Sequence, residues 1–263
     1  MFGLFLFITA LAGWIVAGLV NYFSDVVPVM RALSHPVCSH CGVNINWFDY
    51  LLLKPCPNRH PRNIRTWLVQ ALGLIASLYI WTRPPSKIGY ILGLILILYF
   101  GVVFVIDMEH RLILHITSIF GSLLGLVTGT ISHGLYPTLL GGLGGLLIML
   151  TLYYLGVLFA RLRTRRLRAM GQQIDDEEAL GAGDVILAAV LGLMLGWPLI
   201  WFGLLVGILL GGAVSILLIL WFVITRQYKK NAWMIFMPYG PYFITSAFLI
   251  IFFPKVIAAL LPR

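Results

Sequence analysis

Residues 180–188 have the sequence Leu-Gly-Ala-Gly-Asp-Val-Ile-Leu-Ala, which puts the carboxylate of Asp184 at the start of a long apolar run. An acid in such a setting is costly and commonly functional. Gly181 and Gly183 lack a Cβ, so the backbone can turn sharply and a helix or a substrate can approach Asp184 closely. A second acid, Asp107, stands at the end of another apolar run, residues 88–106. Both acids are therefore candidate functional residues.

The composition excludes an ordinary soluble protein. Of the 263 residues, 60% are hydrophobic and 10% are charged, and the mean hydropathy is +0.98. A polytopic membrane protein in contact with a lipid bilayer is expected. The net charge of +9 does not imply nucleic acid as a partner, because basic residues beside membrane spans serve to orient the helices. The first 24 residues carry no charge and follow no basic region, which favours a retained first helix over a cleaved signal peptide.

Apolar runs of about 20 residues predict membrane helices. We expect an all-α transmembrane bundle with about eight of them, at residues 2–23, 66–82, 88–107, 113–132, 137–160, 184–198, 199–224 and 234–254. The sixth is short and meets the seventh near Pro198. The expected domains are the first transmembrane helix (1–23), a cytoplasmic metal-binding segment (24–65) and the remaining bundle (66–263).

Glycines recur at four-residue spacing in several of the predicted spans. This spacing favours helices whose backbones approach closely, and it indicates tight packing more than a direct catalytic role. The members are Gly121, Gly125 and Gly129; Gly141 and Gly145; Gly192 and Gly196; and Gly203, Gly207 and Gly211.

The basic residues predict the orientation of the bundle. With the N-terminus outside, residues 24–65, 108–112, 161–183 and 225–233 face the cytoplasm. These segments hold fourteen of the 18 lysines and arginines, namely Arg31, Lys54, Arg59, Arg62, Arg65, Arg111, Arg161, Arg163, Arg165, Arg166, Arg168, Arg226, Lys229 and Lys230. The other side keeps only Arg83, Lys87, Lys255 and Arg263. By the positive-inside rule this orientation is expected, and it puts Asp107 and Asp184 at the cytoplasmic face.

All 3 cysteines fall in the segment 24–65, as the pair Cys38 and Cys41 and as Cys56 with His60 four residues later. A reducing compartment disfavours disulfides, so clustered thiols are better interpreted as metal ligands. Four ligands would fill a closed structural zinc site and stabilise a segment with little core of its own. Two other histidines of the segment compete for the fourth position, and unmetallated thiols are the alternative.

Two carboxylates can hydrolyse a peptide bond without a covalent intermediate. One acts as a base that activates water, and the other, protonated, donates to the carbonyl or to the leaving amine. Neighbouring carboxylates share a proton and titrate as a unit. Asp107 and Asp184 are the candidate pair, although each could instead only cap a helix. Glu109, two residues from Asp107, points elsewhere on a helix and is interpreted as a boundary charge.

Together these motifs resemble the type IV prepilin peptidase family, a group of membrane aspartic proteases of the GxGD type. The resemblance runs nearly from end to end of the chain. The segments that carry it are Asn21-Tyr-Phe-Ser-Asp25-Val-Val-Pro28, the pair Cys38 and Cys41, Asn46-Trp-Phe-Asp49-Tyr50, Asp107 with Leu112-Ile113, Gly181-Ala-Gly-Asp184, and Met237-Pro-Tyr-Gly-Pro-Tyr242.

The resemblance implies an aspartic endopeptidase of the bacterial inner membrane, with Asp107 and Asp184 as its catalytic residues. Its substrate would be a type IV prepilin or pseudopilin, whose basic leader stays in the cytoplasm while its hydrophobic segment enters the bilayer. Cleavage would follow a glycine at that boundary. The family's second activity is N-methylation of the trimmed pilin with S-adenosylmethionine.

Four departures from the family pattern bear on these implications. Cys56 and His60 replace the usual second cysteine pair, and the cytoplasmic segment is short. Leu114-His115 replaces the usual Pro-Asn or Pro-Asp after the first motif, and Ile186 replaces a lysine that could bias the ionisation of the pair. The replacement of the second cysteine pair by Cys56 and His60, together with the short cytoplasmic segment, predicts that N-methylation is weak or absent.

Two other classes of function remain open from the sequence. Intramembrane acids and glycine-rich helices are also typical of an ion-coupled secondary transporter. Against it, both acids are predicted near one face instead of the midplane, and no inverted repeat is evident. A catalytically inactive relative that serves as a scaffold for pilus assembly is the other alternative, favoured by the missing lysine at Ile186.

Overall fold

The structure is a computed structural model, and it describes residues 2–38, 41–85, 87–169, 181–225 and 238–255. Regular structure in these ranges is helical, apart from one isolated antiparallel bridge between Val37 and Asn44. The predicted all-α architecture is confirmed. The helices of the described ranges are α1 (Phe2–Met30), α2 (Trp47–Leu51), α3 (Ile64–Thr82), α4 (Gly89–His110), α5 (His115–His133), α6 (Leu135–Ala169), α7 (Ala182–Leu195), α8 (Leu199–Ile224) and α9 (Gly240–Phe252).

Among the described residues, 6 helices are long and apolar enough to cross a membrane, namely α1, α3, α4, α5, α6 and α8. Each of them overlaps one of the predicted spans. The predicted spans 184–198 and 234–254 correspond to α7 and α9, which are apolar but have only 14 and 13 residues. The helix α7 ends at Leu195 because Gly196 takes a left-handed φ of 71°, which suits a residue without a Cβ.

The chain divides into two compact units, one made of residues 1–117 with 251–263 and the other of residues 118–250. The predicted domain division at residues 23 and 65 stays a prediction.

In the first unit, α1 continues well beyond its predicted end at residue 23 and packs along α3. A Cβ on Gly13 would lie 2.6 Å from the Cβ of Ser77, so the two helices approach closely at this glycine.

Side-chain to backbone hydrogen bonds join α1 and α3 along their contact. Ser77 donates to the carbonyl of Thr9 at 2.7 Å, and Gln70 donates to the carbonyl of Trp14 at 2.7 Å. Nearer the end of α1, Asn21 donates to the carbonyl of Thr66 at 3.2 Å. Such bonds satisfy polar groups that would be costly in an apolar interior, and they fix the register of the two helices.

In the second unit, α6 and α7 pack through the glycines that the four-residue spacing singled out. A Cβ on Gly141 would overlap the carbonyl oxygen of Gly192, and a Cβ on Gly145 would overlap that of Ala188. A Cβ on Gly192 would likewise overlap the carbonyl oxygen of Gly141. Tight packing by these glycines is therefore confirmed, and it buries most of α7.

Candidate functional site

The four predicted metal ligands come together in the first unit. One ligand atom from each of Cys38, Cys41, Cys56 and His60 lies within 4.8 Å of all the others. The Sγ atoms of Cys41 and Cys56 are 3.9 Å apart, and the Sγ of Cys56 is 3.3 Å from Nδ1 of His60. Tetrahedral zinc with bonds of about 2.0–2.3 Å separates its ligands by roughly 3.3–3.8 Å. The donor set and these two short separations are therefore consistent with zinc.

Two tight turns hold the ligand pairs. In the first, the N–H of Gly42 donates to the carbonyl of Cys38 at 2.8 Å, and Gly42 has a left-handed φ of 68°. In the second, the N–H of Arg59 donates to the carbonyl of Cys56 at 2.7 Å. His60 thus takes the fourth position, whereas His35 is exposed and His40 lies outside the described residues.

The metal-binding segment has more core than its sequence suggests, because the extension of α1 supplies part of it. A buried cluster joins α1 to the segment and consists of Tyr22, Val26, Cys38, Ile45, Tyr50 and Cys56. The hydrogen bond from the Val43 backbone lowers the pKa of Cys41, but burial and the neighbouring sulfurs of Cys38 and Cys56 raise it more, so the net shift is upward. A bound metal ion would favour the thiolates that this environment otherwise disfavours.

Asp107 lies near the end of α4 and is 4% exposed. Val103 and Ile106 are buried beside it in the sequence. The helix ends soon afterwards, because Arg111 adopts a left-handed φ of 54° while its N–H still donates to the carbonyl of Asp107 at 2.9 Å. The carboxylate is therefore held at a buried position on the last turns of a membrane helix.

Asp184 lies in the first turn of α7 and is 9% exposed. Gly181 precedes the helix in extended conformation, and its carbonyl accepts a hydrogen bond from the N–H of Asp184 at 3.1 Å. A carboxylate is stabilised at a helix N-terminus by the unpaired N–H groups there. Asp184 belongs to the second unit and Asp107 to the first, so their assignment as a catalytic pair stays a prediction.

Sequence reasoning missed a charged network beside the metal centre. Arg65, at the start of α3, donates to Oδ1 of Asp25 on α1 and, at 2.7 Å, to Oε2 of Glu109 on α4. The other oxygen of Asp25 accepts a hydrogen bond of 2.6 Å from the Tyr50 hydroxyl. Burial raises the pKa of Tyr50, and Asp25 raises it further, so the hydroxyl keeps its proton and stays a donor. The available signal was topological, since the end of α1, the start of α3 and the end of α4 were all predicted on the cytoplasmic side.

A pocket of about 100 Å³ is bordered by both this network and the metal ligands. Its lining includes Cys38, Cys56 and His60 as well as Arg65 and Glu109. The pocket is therefore polar, and charges of both signs face it.

Some predicted features fall outside the described residues. Residues 226–237 include Arg226, Lys229 and Lys230 of the predicted cytoplasmic basic residues, as well as Met237 of the last-helix motif.

The fold and the site define a class of protein, a multi-pass helical membrane protein with two buried acids among its described residues and a Cys3His cluster able to hold a metal ion. Residues 94–216 match the Type IV leader peptidase family, and this match supports the assignment of the chain to that family of peptidases. Comparisons with curated proteins and with solved structures gave no match. The matched range contains Asp107 and Asp184, and it leaves out the metal ligands. The family resemblance found in the sequence is thus confirmed.

Proposed function

We propose that the chain is a membrane-embedded aspartic endopeptidase that removes the basic leader from type IV prepilins or pseudopilins. One observation carries the aspartic assignment: Asp107 and Asp184 are the buried acids of the described residues, at 4% and 9% exposed, and both fall inside the family match at 94–216. The other described acids, Asp25, Asp49 and Glu109, are more exposed and form ion pairs with basic side chains.

The chemistry needs one ionised and one protonated carboxyl group. The ionised one takes a proton from water as the water oxygen attacks the scissile carbonyl, and the protonated one gives its proton to the carbonyl oxygen. The C–N bond of the tetrahedral intermediate then breaks as the proton first taken from water passes to the leaving amine. One hydroxyl of the intermediate returns its proton to the second carboxylate, which restores the starting state. Two carboxylates that share a site hold a proton between them, which supplies this starting state.

The substrate proposal depends on membrane orientation. The positive-inside bias favours an N-terminus outside and a cytoplasmic side that receives the end of α4 and the start of α7. A prepilin has its basic leader in the cytoplasm and its hydrophobic segment in the bilayer of a bacterial inner membrane. The peptide bond that joins the leader to the hydrophobic segment therefore lies at the membrane depth proposed for Asp107 and Asp184.

Cys38, Cys41, Cys56 and His60 would hold zinc in a structural role. Four protein ligands leave no open coordination position, so zinc here would stabilise the cytoplasmic segment instead of activating water. Use of S-adenosylmethionine is not required for the peptidase reaction, and weak or absent methylation stays a prediction.

A cleavage assay tests the proposal. The purified chain, in detergent and without any ion gradient, should cut a peptide that joins a basic leader, a glycine and a hydrophobic segment. Asp107→Asn and Asp184→Asn should each abolish cleavage, while Asp49→Asn, which alters an exposed acid, should not. A secondary transporter or an inactive scaffold would leave the peptide intact in all four preparations, and that result would overturn the proposal.

A further inference from the structure

Arg65 joins three helix ends in the first unit. Its guanidinium pairs with Asp25 of α1 and with Glu109 of α4, while Arg65 itself lies in the first turn of α3. The side chains of Arg65 and Asp25 are 19% and 21% exposed, so their ion pair is only partly screened by solvent. The planar fork of arginine can bond two carboxylates at fixed angles, which a lysine cannot reproduce.

The bridge reaches the part of α4 that carries Asp107. Glu109 lies two residues after Asp107, and α4 ends at His110. Helix ends fray where no tertiary contact holds them. The bond of 2.7 Å from Arg65 to Glu109 supplies such a contact next to the buried acid.

The same bridge reaches the metal-binding segment through Asp25. The second oxygen of Asp25 accepts the hydroxyl of Tyr50, and Tyr50 is buried in one cluster with Cys38 and Cys56. Arg62, two residues after the ligand His60, lies with its guanidinium carbon 4.5 Å from the centroid of the Tyr50 ring. Closing the metal site therefore fixes Tyr50 and also fixes the chain that leads into α3.

We propose that Arg65 is a positioning residue that couples the metal-binding segment to the end of α4, and thereby to Asp107. The catalytic part of this inference rests on the proposed function of Asp107. Coupling is reciprocal: if the closed metal site stabilises the bridge, then the bridge tightens metal binding by the same factor. Glu109, on a different helix from the ligands, therefore contributes to zinc affinity.

Zinc affinity, measured by competition with a chelator, tests the coupling without any activity assay. Glu109→Gln keeps the size of a partly exposed side chain but removes its charge, so the protein should fold normally. We expect its zinc affinity to fall about fivefold or more, and that of Arg65→Gln to fall further because two carboxylates then lose their cation. Asp49→Asn is the matched control: it breaks the exposed pair with Lys54, at 2.8 Å in the same segment, and should change nothing.

Peptide cleavage tests the positioning role. In Arg65→Gln we expect kcat to fall roughly ten- to a hundredfold with KM little changed, because misplacement of a reacting group by about 1 Å has effects of this size. Arg65→Lys should recover part of the loss. The proposal would be overturned if Glu109→Gln and Arg65→Gln both showed the same zinc affinity and the same kcat as Asp49→Asn. Should the unaltered chain fail to cut the peptide, the proposed function would be wrong, and the zinc affinities would still decide whether the bridge exists.

Discussion

The Sγ atom of Cys56 lies 3.3 Å from Nδ1 of His60, and the turn between them is closed by the bond from the N–H of Arg59 to the carbonyl of Cys56. This contact makes an imidazole the fourth member of a cluster with three thiols. The cluster fits a single zinc ion with no open position.

We expect purified protein to contain one zinc per chain, provided that no chelator is used. Cys38→Ser should lower the zinc content sharply, because an alcohol is a poor replacement for a buried thiolate ligand. Elemental analysis checks both values. His35→Ala is the control, since His35 is exposed and outside the cluster, and it should keep its zinc. Absence of metal from the unaltered chain would contradict the site.

Zinc binding should release protons at neutral pH. The pKa of Cys41 in the metal-free cluster is raised above its ordinary value of 9.0, so this thiol is protonated at pH 7 and must lose its proton to bind zinc. The apparent zinc affinity should therefore rise as the pH is raised from neutrality and fall as it is lowered. Titration with zinc in a weakly buffered solution with a pH indicator measures the release. A zinc affinity that does not change with pH would count against thiolate ligation.

Close packing of α7 should be needed for the candidate site, because this helix carries Asp184. In Gly192→Ala the new methyl group would overlap the carbonyl of Gly141 on α6. Overpacking of this kind costs about 1–3 kcal/mol and displaces backbone, so cleavage should fall about tenfold or more. Gly212→Ala is the matched control, because a Cβ there meets nothing within 4 Å. Thermal unfolding and the cleavage rate should separate the two variants, and equal behaviour would contradict the packing of α6 on α7.

The sequence predicted what depends on local pattern. Apolar length is a local property, so the six long helices fall where hydropathy puts them, and the spacing of Cys38, Cys41, Cys56 and His60 identified their cluster. The Arg65 bridge was missed because its partners are 40 and 44 residues away in the chain, and pairing at that distance depends on how the helices are rotated. The extension of α1 was missed because the predicted span followed the apolar run only to residue 23, whereas the helix continues to Met30 and brings Tyr22 and Val26 into the buried cluster with the cysteines.

The orientation can be tested by labelling introduced cysteines in intact cells. Pro84→Cys, between α3 and α4, should react with a membrane-impermeant maleimide from outside, because residues 83–87 are predicted on that face. Leu112→Cys, between α4 and α5, should react only after the membrane is permeabilised. Both positions are exposed. The reverse labelling pattern would invert the topology, and the argument from substrate geometry would then fail.

The strongest test of the catalytic pair is whether Asp107 and Asp184 act as one unit. In each aspartate an amide keeps the shape of the carboxyl group but cannot exchange its proton, so Asp107→Asn and Asp184→Asn should each reduce cleavage to background.

Residues that act as a single catalytic unit are not additive, so the double variant should be scarcely slower than either single one. Two residues that merely cap separate helices would instead give small effects that multiply. Single-turnover cleavage by the three variants, each with an unchanged thermal midpoint, distinguishes these cases. Near-normal turnover in either single variant would show that the pair is misassigned, and Glu109, beside Asp107 on α4, would be the first replacement to test.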